Sequence, residues 1–307
     1  MRGIIAVLAV AILAALASVG LASNSRQAAP AAKAPAAGVQ AMDTAACTPL
    51  SAGDHLLPAI DGRLPVLLHV PPHPRAGQSL VLALPGAGQT AEDFAEYTGY
   101  SVLADRKGFT VAYPTATGKE PFWNMSGVVA GKPDDVAYLR RVIPAAVAAA
   151  CADPARVGVT GVSNGGGMTA RLACDAPDLI AAAAPVAGGY GSLPDCRPSQ
   201  PVPVLEIHGT DDRVVPYAGK APDGSGSVSA FLAQWRRLDA CPSPATQRWP
   251  MHNVTELRWT GCKGGTMVVH DRITDAEHGW PGEDDLGQRP GFSSTLRTWR
   301  FLSAFRR

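Results

Sequence analysis

Apolar residues in this chain fall in short blocks cut by turn residues, and the blocks alternate with longer stretches of helical period. Leu64–Val70 (LPVLLHV), Leu80–Leu84 (LVLAL), Phe109–Tyr113 (FTVAY), Val157–Thr160 (VGVT), Ala183–Val186 and Val204–His208 (VLEIH) are predicted as strands, followed by Val254–Trp259 and Met267–His270. Between them, Asp134–Ala150 opens on an aspartate and carries Val136, Leu139, Val142, Ile143 and Val147 on one face, as an amphipathic helix does. Ser163–Cys174 and Leu296–Phe305 are predicted as further helices, and Gly224–Ser229 (GSGSVS) as a short loop. Strands that are apolar throughout, rather than at alternate positions, need cover on both faces. The interleaving therefore predicts an α/β fold: a mostly parallel sheet with helices on either side, in one domain from about residue 48 to 307.

The first 47 residues follow different rules. Arg2 precedes an uncharged apolar run from Ile4 to Ala22 that ends in small residues, which reads as a secretory signal over residues 1–22. A run of this length also suits an uncleaved membrane anchor, the less favoured of the two readings. Residues 23–47 are mostly Ala and Pro, a linker composition with too little to bury. A secreted or periplasmic location follows from the signal. Across the 307 residues, 27 Lys and Arg balance 26 Asp and Glu, so no basic field exists for nucleic acid, which is excluded as a partner. With 46% hydrophobic and 17% charged residues the chain is also no disordered polymer. All six cysteines follow the signal, and an even count in an exported chain predicts disulfides. Local spacing pairs Cys174 with Cys196 and Cys241 with Cys262, leaving Cys47 for Cys151. No Cys-x-x-Cys pair occurs, and no metal site is expected.

The chemistry centres on Gly161-Val162-Ser163-Asn164-Gly165, set directly after the strand VGVT and before a helix. A nucleophile elbow needs this setting: a tight turn with no room for side chains two residues either side, which lifts the serine hydroxyl off the sheet. A serine needs a base, and the base needs an orienting carboxylate, following in the order serine, acid, histidine. Asp211 and Asp212 follow the strand VLEIH, and either suits the acid. His278 lies in a loop after the last predicted strand. His55, His69 and His73 precede the serine, His208 precedes the acid, and His270, the main rival, falls inside the strand MVVH. The loop Pro85-Gly86-Ala87-Gly88-Gln89 after LVLAL is poor in bulky side chains. It nominates the Ala87 amide, with that of Asn164, as the oxyanion donors.

The stretch DPARVGVTGVSNGGGMTARLACDAPDLIAAAAPVAG, with PGAGQTAEDF, FWN, HGTDDRVVPY and HGWPG in the same order, resembles the secreted esterase family of polyhydroxybutyrate depolymerases, feruloyl esterases and acetylxylan esterases. The similarity runs from about Gly62 to Phe305. It implies an α/β-hydrolase fold, Ser163 as nucleophile, His278 as base and, through the pattern His-Gly-Thr-x-Asp, Asp212 rather than Asp211 as the acid. Trp123, Asn124 and Trp280 match aromatic and polar positions that line the family's cleft, although core packing is an equal reading for each tryptophan. Two positions depart from the family. Pro85-Gly86 replaces its usual His-Gly, and Glu277 precedes the histidine where glycine is usual.

These readings imply a serine esterase working through an acyl-enzyme, with no cofactor and no obligate protein partner. Its substrate would be a hydroxyalkanoate oligomer or a feruloyl or acetyl ester. No appended polymer-gripping segment is expected after Phe292, which points to soluble esters. Two other classes fit the same residues: a hydrolase-fold binding protein that has lost catalysis, and an acyltransferase passing the acyl group to an alcohol.

Overall fold

The computed structural model describes residues 47–126, 131–191, 193, 196–220, 226–242, 244–282 and 291–307. The predicted signal (1–22) and all of the predicted linker except Cys47 lie outside the described residues. Among the described residues ten strands form one sheet: β1 (Gly53–Leu57), β2 (Val66–Val70), β3 (Leu80–Leu84), β4 (Thr110–Tyr113), β5 (Val157–Val162), β6 (Ala182–Val186), β7 (Val204–Gly209), β8 (Thr246–Met251), β9 (Val254–Trp259) and β10 (Val268–Ile273). The α-helices described are α1 (Ala91–Thr98), α2 (Tyr100–Lys107), α3 (Asp135–Ala150), α4 (Ser163–Asp175), α5 (Val228–Leu238) and α6 (Ser294–Leu302). The spatial order is β1-β2-β4-β3-β5-β6-β7-β10-β9-β8. The central run from β4 to β10 is parallel, and the outer strands at both ends pair antiparallel.

The central strands are buried along their whole length because each face has its own helical cover. Along β3, Leu80, Leu82 and Leu84 enter one core with Leu139 and Val142 of α3, Met168 and Leu172 of α4 and Phe231 of α5. Val81 and Ala83 enter the other, with Phe94 of α1, Tyr100 of α2 and Phe301 of α6. The strand's two-residue period thus feeds two separate cores. In this arrangement the C-terminal ends of β3, β5, β6, β7 and β10 share one edge of the sheet, where open parallel sheets place their ligands.

The structure adds elements that the apolar blocks missed. Edge strand β8 is almost wholly exposed, with Trp249 68% exposed, so it carries no apolar signature. Its Pro250 is tolerated because an edge strand has unpaired amides. Helix α1 is announced by a capping box, in which Thr90 and Asp93 exchange bonds with each other's backbone, rather than by a long apolar stripe. Of the stretch predicted as loop at Gly224–Ser229, Gly224 and Ser225 lie outside the described residues and the end is helix: Ser227 caps α5, whose Val228, Phe231, Leu232 and Trp235 are buried at helical spacing. The cysteines pair as Cys47–Cys151, Cys174–Cys196 and Cys241–Cys262. No helix among the described residues is long and apolar enough to cross a membrane.

Candidate active site

Ser163 sits at the junction of β5 and α4 with φ at +56°, a left-handed backbone that side chains other than glycine adopt only under strain. Space around it is minimal. A Cβ at Gly161 would lie 2.6 Å from the Leu84 carbonyl oxygen, and one at Gly165 would lie 2.1 Å from the same atom. Only glycine lets the turn press against the end of β3. Ser163 itself is half-buried while its neighbours are fully buried, so the turn exposes the one residue that carries a hydroxyl.

The loop after β3 lies directly beside it. A Cβ at Gly86 would sit 3.6 Å from that of Ser163. The Gly86 amide donates to Gln89 Oε1 at 2.8 Å and the Gly88 amide to the Pro121 carbonyl at 2.8 Å, while Ala87 between them is exposed. Among the described residues the Ala87 amide has no acceptor. The Asn164 amide, in the first turn of α4, lacks a helical acceptor by position. Two amides beside the serine are therefore available to an incoming anion.

Asp212 and His278 meet. The His278 Nδ1 donates to Asp212 Oδ2 at 2.7 Å, and Asp212 Oδ1 accepts from the amides of Val214 (2.9 Å) and Val215 (2.7 Å). Asp211 is exposed, so burial and pairing both fall on Asp212. Burial alone would raise the Asp212 pKa, but bonds from His208, His278 and the Val215 amide outweigh it and hold the carboxyl well below its ordinary range. His270 is fully buried in β10 and bonded to Tyr217 through Nε2 at 2.7 Å, which leaves it no access to a substrate.

The His278 loop is tied at both ends. The Ala276 carbonyl accepts from the Asp211 amide at 3.0 Å, after β7. The Trp280 amide donates to the Tyr97 hydroxyl at 2.8 Å, on α1, which follows β3. A segment strung from β7 to the helix after β3 must pass over the ends of β5 and β6, and Ser163 follows β5. His278 thus hangs above the serine's edge of the sheet, its side chain 18% exposed. Among the described residues no hydrogen bond joins it to the Ser163 hydroxyl, a contact that commonly tightens only with substrate bound.

Trp123 and Trp280 are not cleft walls in this structure, since both are fully buried. Trp123 Nε1 donates to the Pro85 carbonyl at 3.0 Å, and its backbone exchanges bonds with the Asn164 side chain at 2.7 and 3.1 Å. It clamps the Ala87 loop to the elbow. Trp280 Nε1 donates to Thr295 Oγ1 at 2.8 Å, and its ring packs on Phe94 and Tyr100. Asn124, 8% exposed, is held by Asp135 and Pro133. The family resemblance singles out Trp123, Asn124 and Trp280, but neither their bracing partners nor the Tyr97 hydroxyl is announced by a motif, because each partner lies far away in the chain.

One electrostatic consequence is testable directly. His208, flanked by Asp212 and Glu206, is pushed up to about 10 from its ordinary 6.5 despite its burial. The folded chain therefore keeps a proton that the unfolded chain releases above pH 6.5, and stability falls as pH rises from there through about 10. Melting temperatures recorded between pH 6.5 and 10 should decline steadily, and a flat profile would contradict the charge assignment.

A family model described as esterase PHB depolymerase matches residues 64–192. Feruloyl esterase B of Piromyces equi is 34% identical over 176 residues, covering 54% of this chain and 32% of that protein. The "Probable feruloyl esterase C" of Aspergillus clavatus is 32% identical over 205 residues, 67% of this chain and 68% of that protein. The match thus spans about a third of the first relative and two thirds of the second. The acetyl xylan esterase structure from Aspergillus awamori superposes with a TM-score of 0.57 at 17% identity, over 72% of this chain and 91% of that one, which shows a shared α/β-hydrolase fold.

Proposed function

Because the chain belongs to the esterase PHB depolymerase family, we propose that it hydrolyses carboxylic esters through an acyl-enzyme on Ser163. The observation that carries this reading is the hydrogen bond between His278 and the buried Asp212, together with Ser163 in a left-handed turn between β5 and α4. In the proposed reaction the Ser163 hydroxyl attacks the ester carbonyl while His278 takes its proton, and Asp212 fixes the imidazole tautomer. The Ala87 and Asn164 amides stabilise the oxyanion. His278 then protonates the departing alcohol, and water releases the acid by the same path in reverse.

A mostly apolar cavity of about 210 Å³ adjoins the site, lined by Gly189, Tyr190, Val214, Val215, Pro216 and Lys220 among others. The Gly189 amide donates to the Ser163 carbonyl at 3.4 Å, which sets this cavity next to the elbow. Its size supports a compact acyl or alcohol group from a soluble ester. Relatives named for feruloyl and acetylxylan ester hydrolysis, and the family's name, support the same substrate classes. The three disulfides support an oxidising location outside the cytosol, as the predicted signal requires.

The test is a panel of p-nitrophenyl acetate, methyl ferulate, hydroxybutyrate oligomers and acetylated xylan. Turnover of at least one is expected, lost under acid conditions because a protonated imidazole cannot act as base. No release of acid from any of the four at any pH would defeat the proposal.

A further inference from the structure

Behind Asp212 lies a line of buried ionisable side chains that ester hydrolysis itself leaves without a task. His208 Nε2 is 2.9 Å from the Val215 carbonyl and 3.2 Å from Asp212 Oδ2, and its Nδ1 is 2.9 Å from Glu206 Oε1. Glu206 Oε1 also accepts from the Tyr190 hydroxyl at 2.9 Å, and its Oε2 lies 2.6 Å from His270 Nδ1. The topology creates this line: Glu206 and His208 share one face of β7, and the register sets His270 of β10 opposite Glu206. The side chains of Glu206, His208, His270 and Asp212 are all fully shielded from water.

The ring's partners and the ionised state of Glu206 together set the proton count. A backbone carbonyl only accepts, so His208 Nε2 carries a hydrogen. On the other side of the ring, Nδ1 faces Glu206 Oε1, and Glu206, held ionised by its bonds to His208 and His270 despite its burial, can only accept, so Nδ1 also donates. A ring with two donors is an imidazolium. Asp212 therefore stands between a fixed cation and His278.

We propose that His208, kept charged by Glu206, is a positioning residue that lowers the pH at which His278 becomes available as a base. The inference rests on the reading of His278 as base. A lone buried aspartate would stabilise the protonated form of its histidine strongly, but here its charge is already half-engaged by His208. Other titratable groups near the ring are Tyr190 and Tyr217, with centroids 6.5 and 5.9 Å away, and His270 reaches it only through Glu206. The shifts agree with this picture. Burial pushes Glu206 up, yet its bonds to His208 and His270 bring it down to about 2, so it stays ionised.

The test pairs a pH profile of kcat/KM with an NMR titration of the His278 ring in the same proteins. His208→Gln keeps a donor near Nε2 and removes the charge. The midpoint of the acid limb and of the His278 titration should both rise by about one pH unit, with KM unchanged. The double variant His208→Gln/Glu206→Gln, which strands no buried charge, guards against misfolding of the single variant and should show a smaller rise. An unmoved or lowered midpoint in either folded variant overturns the proposal, including the case where only the melting temperature drops. If the wild-type protein hydrolyses no ester, the esterase reading fails, while the NMR midpoint still decides the role of His208.

Discussion

Ser163→Ala is expected to lower kcat/KM on a p-nitrophenyl ester by about a million-fold while leaving the melting temperature unchanged. Alanine removes the hydroxyl and nothing else: the Cβ remains, and so does the backbone at φ +56°. Ser163→Gly should abolish activity equally but raise stability by about 1 kcal/mol, because glycine adopts positive φ without a steric cost. In a domain of this size that corresponds to about 2–4 °C of melting temperature. The two readouts move in opposite directions only if the strain at position 163 is maintained for the sake of the hydroxyl. Activity within tenfold of wild type in the alanine variant would remove Ser163 from the chemistry. A glycine variant no more stable than alanine would remove the strain.

Asp212→Asn should reduce kcat by about 10⁴-fold with little change in KM. Asp212 receives donors at both oxygens, from the Val214 and Val215 amides on one and His278 on the other, so it acts purely as an acceptor. An asparagine presents an amide to at least one of those donors. To restore a hydrogen bond, His278 must shift its proton to the nitrogen that faces the serine, and a nitrogen bearing a proton cannot take another. Neither Asp212 nor His278 lines the cavity proposed for the substrate, which is why KM should change little. A loss smaller than tenfold would mean that another acid supports His278.

Much of this was legible in the chain itself. The strand blocks LVLAL and Val254–Trp259 coincide with β3 and β9; β3 is buried throughout and leaves an unbroken apolar record, whereas β9 is marked mainly by its apolar ends, Val254 and Trp259. Ser163 and His278 stand out because each is polar in a loop just past an apolar strand. Asp211 and Asp212 are equivalent by position, and only the family pattern or the fold separates them, the second being buried and bonded. Other features leave no local mark. Exposed strand β8 has no buried face to write a pattern. Trp123 is singled out by the family resemblance, but its part in holding the elbow shows only when the fold brings Pro85 and Asn164 against it. His208 and Glu206 look like polar interruptions in VLEIH, and their role depends on β10 lying alongside. Short-range pattern records burial and turns, whereas pairing across the sheet is written only in three dimensions.

The most direct measurement is covalent capture. The native protein is incubated with a p-nitrophenyl phosphonate ester, and the adduct is located by peptide mass spectrometry. One phosphonyl group per chain is expected, on Ser163 alone, with labelling nearly abolished in a folded His278→Ala variant. A protein that stays unlabelled, or that carries the group on a different side chain, would contradict a nucleophile at the end of β5 activated by the histidine hung above it.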